Sequence, residues 1–246
     1  MTVHFIHVGK CGGTALRHAV RQAQVVADGL ESPWGPVSAQ PGHRLTLSDI
    51  PDGDKAVLAF RDPESRFVSG FYSRLRKGKP RHFREWSDKE RQAFEWFRSP
   101  EELADALGDR AEQRTRAEFA MRSIRQLRRP MTRWAGRPAL FRRNLGKVLY
   151  VARQETLDED WERLKDLLGI PPDVMLPHDD RGAHRTDYPR DIAIGERGRA
   201  ALARWYAEDY ELLEIAEDLR QGPISQSSTR PGGFGALGRI ARNALR

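Results

Sequence analysis

A glycine-rich turn near the start of the chain joins a short apolar run to a stretch with helical character. The apolar run covers residues 3–8, the turn covers residues 9–13, and the helical stretch covers residues 14–27. A strand that leads through such a turn into a helix directs backbone N–H groups and the positive end of the helix dipole toward one point. Lys10 adds a mobile positive charge to the turn. The sequence therefore predicts an α/β fold with a phosphate cradle after its first strand.

The order of residues in this turn differs from that of the Walker phosphate loop. A Walker loop places its lysine after the last glycine, whereas Lys10 precedes Gly12 and Gly13 here. This order resembles the 5′-phosphosulfate loop of sulfotransferases, although Gly9 replaces the usual proline. The double glycine is similar to the carbohydrate branch that includes heparan sulfate 2-O-sulfotransferase. The resemblance implies a P-loop-like parallel sheet flanked by helices, and binding of 3′-phosphoadenosine 5′-phosphosulfate (PAPS) by Lys10, Cys11, Gly12, Gly13, Thr14 and Ala15.

A second motif follows the apolar run at residues 55–60, which is typical of a buried strand. Asp62 is expected to cap the next helix, with Pro63 in its first turn. The residues from Arg61 to Tyr72 resemble the sulfotransferase motif that binds the 3′-phosphate of PAPS. The resemblance implies that Arg61 and Ser69 bind this phosphate. Arg66, on the polar stripe of the same helix, is interpreted as a surface ion-pairing residue that supports them.

Between the two motifs, His43 lies in a Gly-His phrase similar to the one that carries the catalytic base of 2-O-sulfotransferase-like enzymes. An imidazole with its ordinary pKa of about 6.5 suits proton abstraction at neutral pH. The resemblance implies that His43 is the base, and Glu31 is the alternative because other branches use a glutamate. The polar stretch at residues 177–188 corresponds to a basic loop in many relatives, so Arg185 is a further candidate for phosphate binding. A plain surface loop is the other interpretation of that stretch.

Cys11 has two interpretations. A thiol beside a lysine at a helix N-terminus can have a lowered pKa and react as a nucleophile or redox sensor. The family resemblance implies instead that this position contributes only its backbone. A single cysteine excludes an internal disulfide and fits a reducing compartment. Without a cleavable apolar region before the first strand, the sequence predicts a cytoplasmic enzyme.

Charge and composition divide the chain into a domain and a tail. Residues 1–220 are predicted to form one domain with helical insertions, and residues 221–246 a flexible basic tail that could contact a membrane surface. The net charge of +7 suits an anionic cofactor. The segment at residues 110–143 holds eleven arginines and two acids. A solvated basic face and an acceptor-binding rim are both open for it, and nucleic acid is not expected as a partner.

The two motifs together imply a PAPS-dependent sulfotransferase that acts on a hydroxyl of a sugar, glycolipid or small metabolite. No His, Asp or Glu cluster with metal-ligand spacing is visible in the sequence, so no metal is expected. An ATP-dependent kinase is the enzyme alternative, and it predicts a Walker lysine and an acidic magnesium ligand. A family member that binds nucleotide without catalysis is the third hypothesis.

Overall fold

The fold is built on a single sheet of five strands in the order β2-β3-β1-β4-β5. The computed structural model describes residues 1–27, 29–40, 42–80, 82–177 and 192–221. β1 pairs in parallel with both β3 and β4, and β4 pairs in parallel with β5. The predicted parallel α/β sheet is therefore confirmed, with an antiparallel edge strand added by β2. The strands are β1 (Val3–Ile6), β2 (Glu31–Ser32), β3 (Gly35–Ser38), β4 (Lys55–Phe60) and β5 (Val148–Arg153).

Some helices pack against the sheet, and others pack against one another. One apolar cluster joins the sheet to α1, α8 and α10, and a second joins α2, α3, α4, α5 and α9. The second cluster is the predicted helical insertion, which packs on the sheet domain through α2. The helices are α1 (Gly13–Val26), α2 (Pro63–Leu75), α3 (Asp88–Trp96), α4 (Pro100–Leu107), α5 (Ala111–Ser123), α6 (Thr132–Ala135), α7 (Pro138–Arg143), α8 (Leu157–Leu168), α9 (Glu196–Trp205) and α10 (Ala207–Gln221).

The register of β1 against β4 decides where the two sequence motifs meet. Ile6 lies opposite Leu58, so both parallel strands end at the same edge of the sheet. Each strand then runs into a helix, β1 into α1 and β4 into α2. Ligands of open parallel sheets bind outside the carboxyl ends of the strands. The glycine-rich turn and the Arg61 motif are thus neighbours at that edge.

Local start and stop signals agree with the predicted helix ends. The Asp62 carboxylate accepts a hydrogen bond from the Ser65 backbone N–H at 2.7 Å, with Pro63 at the first helical position. Gly169 ends α8 in the left-handed conformation at φ 65°. Both are local effects of side-chain capping and glycine freedom, which is why the sequence predicts them.

The piece between the two motifs contains the hairpin of β2 and β3, which was not predicted from the sequence. Gly35 turns the hairpin at φ 90°, and Val37 pairs with Val3 of β1. A strand of four residues that includes Pro36 gives too weak a local pattern to predict. Its pairing with β1 is what stabilises it.

Two predicted features lie outside the described residues. They are the stretch at residues 178–191, with Arg185, and the tail beyond residue 221. In the part of the chain that is described, no helix is both long enough and apolar enough to span a bilayer.

Candidate functional site

The glycine-rich turn forms an open helix N-terminus. Lys10 and Gly12 adopt positive φ values of 68° and 79°, and α1 begins at Gly13. No side chain caps this helix. The first amides of a helix have no partner within it and favour a bound anion. The turn therefore leaves the amides at Gly13 and Thr14 to an outside acceptor, whereas the Ala15 amide donates to the Gly12 carbonyl at 3.0 Å.

Two glycines let other elements pack directly behind the turn. A Cβ on Gly13 would lie 2.4 Å from Cδ2 of His7, and a Cβ on Gly12 would lie 2.8 Å from Cδ2 of Leu157. Both distances are shorter than real carbon contacts allow. Leu157 begins α8, so this helix packs behind the glycine-rich turn.

Arg66 is hydrogen-bonded to the glycine-rich turn, and its interpretation as a surface ion-pairing residue was wrong. Its side chain is buried at 3 % exposure. Its Nε donates to the Gly9 carbonyl at 3.0 Å, and its Nη2 donates to the Arg129 carbonyl. The polar stripe of α2 therefore faces the turn, because the apolar residues on the other side of α2 pack against the helical cluster. A buried guanidinium is satisfied here by two backbone carbonyls.

Lys10 lies in a concentration of positive charge. Burial, together with the charges of Arg61, Arg76 and Arg66, lowers the pKa of its amine to about 7. A lysine pKa lowered in this way is typical of a site that favours an anion. A bound negative charge would offset both the cost of burying the amine and its repulsion by the arginines.

Sequence analysis missed Arg76 as a member of this group. It follows α2 and lies seven residues beyond Ser69, which places both on one face of the helix. The neighbouring Lys77 lies past the end of α2 with φ 56°, and its amine pairs with the Glu85 carboxylate at 2.6 Å. The helical spacing of the stripe was the signal that could have identified Arg76.

The proposed 3′-phosphate residues lie on β4 and α2. Arg61 directly follows β4, and its Nε donates to the Ser65 hydroxyl at 2.7 Å. Ser69 is one helical turn further along and is buried at 6 % exposure. Arg61 is close enough to Lys10 for its charge to lower the lysine pKa. The two cofactor motifs thus converge on one region, while the assignment of Ser69 to phosphate binding stays a prediction.

His43 is bound to the residue that precedes the glycine-rich turn. Its Nδ1 is 2.9 Å from the His7 carbonyl oxygen, and the two imidazole centroids are 3.9 Å apart. A carbonyl only accepts, so Nδ1 carries the proton and Nε2 keeps its lone pair. Burial of part of the ring lowers the pKa of His43 below its ordinary value, and the charges of Arg17 and Arg129 act in the same direction. The imidazole is therefore neutral at pH 7, as a general base requires.

Trp134 positions His43 and was not identified from the sequence. Its indole N–H donates to the His43 carbonyl at 3.0 Å, and its ring would be 3.1 Å from a Cβ on Gly9. This second contact gives a reason for glycine at position 9, where the family usually has proline. Glu31, the alternative base, is exposed on β2. β3 lies between β2 and β1, which is a separation of about 10 Å.

The Cys11 thiol is directed into the core. It is fully buried, with Sγ 3.6 Å from the Gly9 carbonyl and 3.8 Å from Sδ of Met131. Burial raises the pKa of this thiol to about 11. The hypothesis of a reactive thiolate at position 11 was therefore wrong, because the side chain has no access to the helix terminus that would stabilise its charge. Among the residues that the structure describes, no group of three or more His, Cys, Asp or Glu could hold a metal ion.

Comparison with known proteins identifies the family of the chain. The model of the sulfotransferase family matches residues 55–215, more than half of the chain. The match begins with β4 and includes Arg61, Arg66 and Ser69, whereas the glycine-rich turn and His43 precede it. No curated protein and no solved structure matches the chain. Through the family match and the α/β sheet that carries it, the chain belongs to the sulfotransferase family.

Proposed function

We propose that this protein transfers the sulfuryl group of PAPS to an acceptor hydroxyl. The observation that carries the proposal is the convergence of an uncapped helix N-terminus with Lys10, Arg61, Arg66 and Arg76. An anion with phosphate groups at both ends of a nucleoside fits such a site, because it meets donors from two neighbouring strand ends. The usual donor of the family has this chemistry.

The phosphate cradle and the arginines have separate roles in this reaction. When bound, PAPS supplies the sulfuryl group and carries the phosphate that leaves with the nucleotide. Lys10 and the amides of Gly13 and Thr14 stabilise the negative charge on that phosphate. Preorganised donors of this kind are worth about 3–4 kcal/mol each in the transition state. Arg61 and Ser69 hold the 3′-phosphate, and Arg66 keeps the Gly9 carbonyl and hence the turn in place.

His43 removes the proton from the acceptor hydroxyl. Its Nε2 lone pair accepts the proton while Nδ1–H remains bonded to the His7 carbonyl. The imidazolium that forms is stabilised at Nδ1 by this carbonyl. The His7 backbone leads directly into the glycine-rich turn. The proposed base is therefore hydrogen-bonded to the same segment that carries the phosphate cradle. Positioning of this kind is the main source of rate in group transfer between oxygens.

The kinase hypothesis is not favoured by the family match or by the order of lysine and glycines in the turn. The acid after β4, Asp62, is occupied as the cap of α2, and its own N–H donates to Glu155 at 2.8 Å. A nucleotide-binding protein without catalysis differs from the proposed enzyme only in turnover. Its binding of the bisphosphate product would be the same.

Calorimetric titration with adenosine 3′,5′-bisphosphate, ADP and ATP tests the donor site. Wild type is expected to prefer the bisphosphate, and Arg61→Ala to lose at least about tenfold in affinity for it. Arg114→Ala is the matched control, because this exposed arginine pairs with Glu118 on α5. Equal affinity for ATP and the bisphosphate, or equal losses in both variants, would contradict a 3′-phosphate site at Arg61.

A further inference from the structure

Asp209 is a buried carboxylate that has no part in the mechanism described so far. It lies in the first turn of α10 and is 1 % exposed. Its Oδ2 accepts a hydrogen bond from the Met131 N–H at 2.9 Å, and its Oδ1 accepts one from the Thr132 N–H at 3.1 Å. Both oxygens of this carboxylate therefore bind the start of α6, which is distant from α10 in sequence.

α6 is a single turn whose own sequence provides no cap. Its N-cap residue is Met131, whose side chain makes no capping hydrogen bond. One turn has too few internal hydrogen bonds to be stable alone, and its first amides need an acceptor from outside the helix. A negative charge at a helix N-terminus is also favoured by the helix dipole. Asp209 thus supplies from α10 the cap that α6 lacks.

Arg66 supports the same segment at a different backbone group. Burial raises the pKa of the Asp209 carboxyl, while the charge of Arg66 and the two backbone hydrogen bonds act in the opposite direction. Arg66 also donates to the Arg129 carbonyl. The chain that leads into α6 is therefore held at a carbonyl by a buried guanidinium and at two N–H groups by a buried carboxylate. Loss of an acceptor there leaves a buried N–H unsatisfied, which costs about 1–3 kcal/mol.

α6 contacts the segment of His43 at two places. The indole N–H of Trp134 donates to the His43 carbonyl at 3.0 Å, and the centroids of the two rings are 6.0 Å apart. α6 also packs against the short 3₁₀ helix Leu47–Asp49, which follows His43 in the chain. His43 itself lies in an irregular loop, so the position of its backbone depends on contacts with other elements.

We propose that Asp209 is a positioning residue for His43 and acts through the N-terminus of α6 and the indole of Trp134. This inference rests on the proposed function, in which His43 is the base. A misplacement of about 1 Å can cost about 10²-fold in rate, so a residue that fixes the base contributes to turnover without touching a substrate. Donor binding should not depend on Asp209, because Arg66 is bonded directly to the glycine-rich turn.

Three variants separate positioning of the base from a general effect of charge. In Asp209→Asn, the amide has the size of the carboxylate but one accepting oxygen, so one N–H of α6 loses its partner. Trp134→Phe interrupts the same path at its last step, because a phenyl ring has no N–H to donate. Glu208→Gln is the matched control, since it removes the same charge from the same turn of α10, where Glu208 pairs with Arg137 at the surface.

NMR titration of the histidine rings reports on His43 without an acceptor. The His7 ring lies 3.9 Å from the His43 ring, so the protons of the two rings should show cross-relaxation. Burial and the charges of Arg17, Arg129 and Arg125 hold the pKa of His43 below its ordinary value. Displacement of the ring from these groups raises this pKa toward about 6.5. Loss of a negative charge alone would lower it, because a carboxylate favours the imidazolium.

We expect the pKa of His43 to rise toward about 6.5 and its cross-relaxation with His7 to weaken in Asp209→Asn and Trp134→Phe, with neither change in Glu208→Gln. Calorimetric affinity for adenosine 3′,5′-bisphosphate should stay within about twofold of wild type, which also shows that the variants are folded. An unchanged pKa in either path variant, an equal rise in Glu208→Gln, or a larger loss of bisphosphate affinity in Asp209→Asn would overturn the proposal. Failure of wild type to bind the bisphosphate would instead contradict the proposed function, and the ring of His43 would still show whether Asp209 positions it.

Discussion

The low pKa of Lys10 predicts that nucleotide binding takes up a proton. With a pKa of about 7, about 0.9 of the Lys10 amines are unprotonated at pH 8 in the free protein. A bound phosphate adds negative charge beside the amine and raises its pKa. If the pKa rises above 9, binding of adenosine 3′,5′-bisphosphate at pH 8 takes up about 0.9 proton per site. The physical cause is the surroundings of Lys10, where burial and three arginines disfavour the charged amine.

The same linkage predicts a loss of affinity at high pH. The protonated fraction of Lys10 falls from about 0.5 at pH 7 to about 0.01 at pH 9, so affinity for the bisphosphate should fall about 50-fold, or about 2.3 kcal/mol. The sign follows from the charge, because the anion binds the protonated amine and that form disappears as the pH rises through 7. The phosphates of the ligand do not contribute to this change, since their second pKa is about 6.

Calorimetric titration at pH 8 in buffers with different ionisation enthalpies measures the proton uptake directly. Lys10→Arg is the matched control, because a guanidinium stays protonated throughout this range. Its proton uptake should be close to zero and its affinity independent of pH between 7 and 9. Wild-type uptake below about 0.2 proton would refute the reasoning, since Lys10 would then be charged before the ligand arrives.

Three other outcomes follow from the site geometry. His43→Asn, whose amide can still donate to the His7 carbonyl, should keep bisphosphate affinity within about twofold while turnover falls about 10²–10⁴-fold; normal turnover would exclude His43 as the base. Gly13→Ala should lower the melting temperature by about 2–12 °C, because the 2.4 Å contact with His7 costs about 1–3 kcal/mol. Gly146→Ala adds a Cβ in open space and should leave the melting temperature unchanged. Equal melting temperatures of these two variants would contradict the close packing of Gly13 against His7. Native Cys11 should resist iodoacetamide at pH 8 and react after unfolding, as mass spectrometry would show; fast labelling of the native protein would mean that the thiol is accessible.

The sequence by itself determined the elements that carry the cofactor motifs. β4 begins and ends at the predicted residues, α1 and α2 begin within one residue of their expected starts, and Asp62 caps α2. These features depend on capping, turn chemistry and apolar runs, which act over a few residues. The parallel order of β1 and β4 follows from the strand-turn-helix units themselves, because a helix after each strand returns the chain for parallel pairing.

Only the tertiary structure decided how the site is completed. The sequence alone did not show that Arg66 is buried under the turn, that Arg76 joins Lys10, or that Trp134 binds the His43 backbone. It also left the basic segment open. Spacing of four residues pairs Arg114, Arg116 and Arg122 with glutamates of α5, but the partners of Arg137 and Arg142 lie on α10, which is distant in sequence. Long-range packing of α2 against the 125–134 segment, through Arg66 and Gly70, is thus the physical reason that the glycine-rich turn meets residues more than a hundred positions away in sequence.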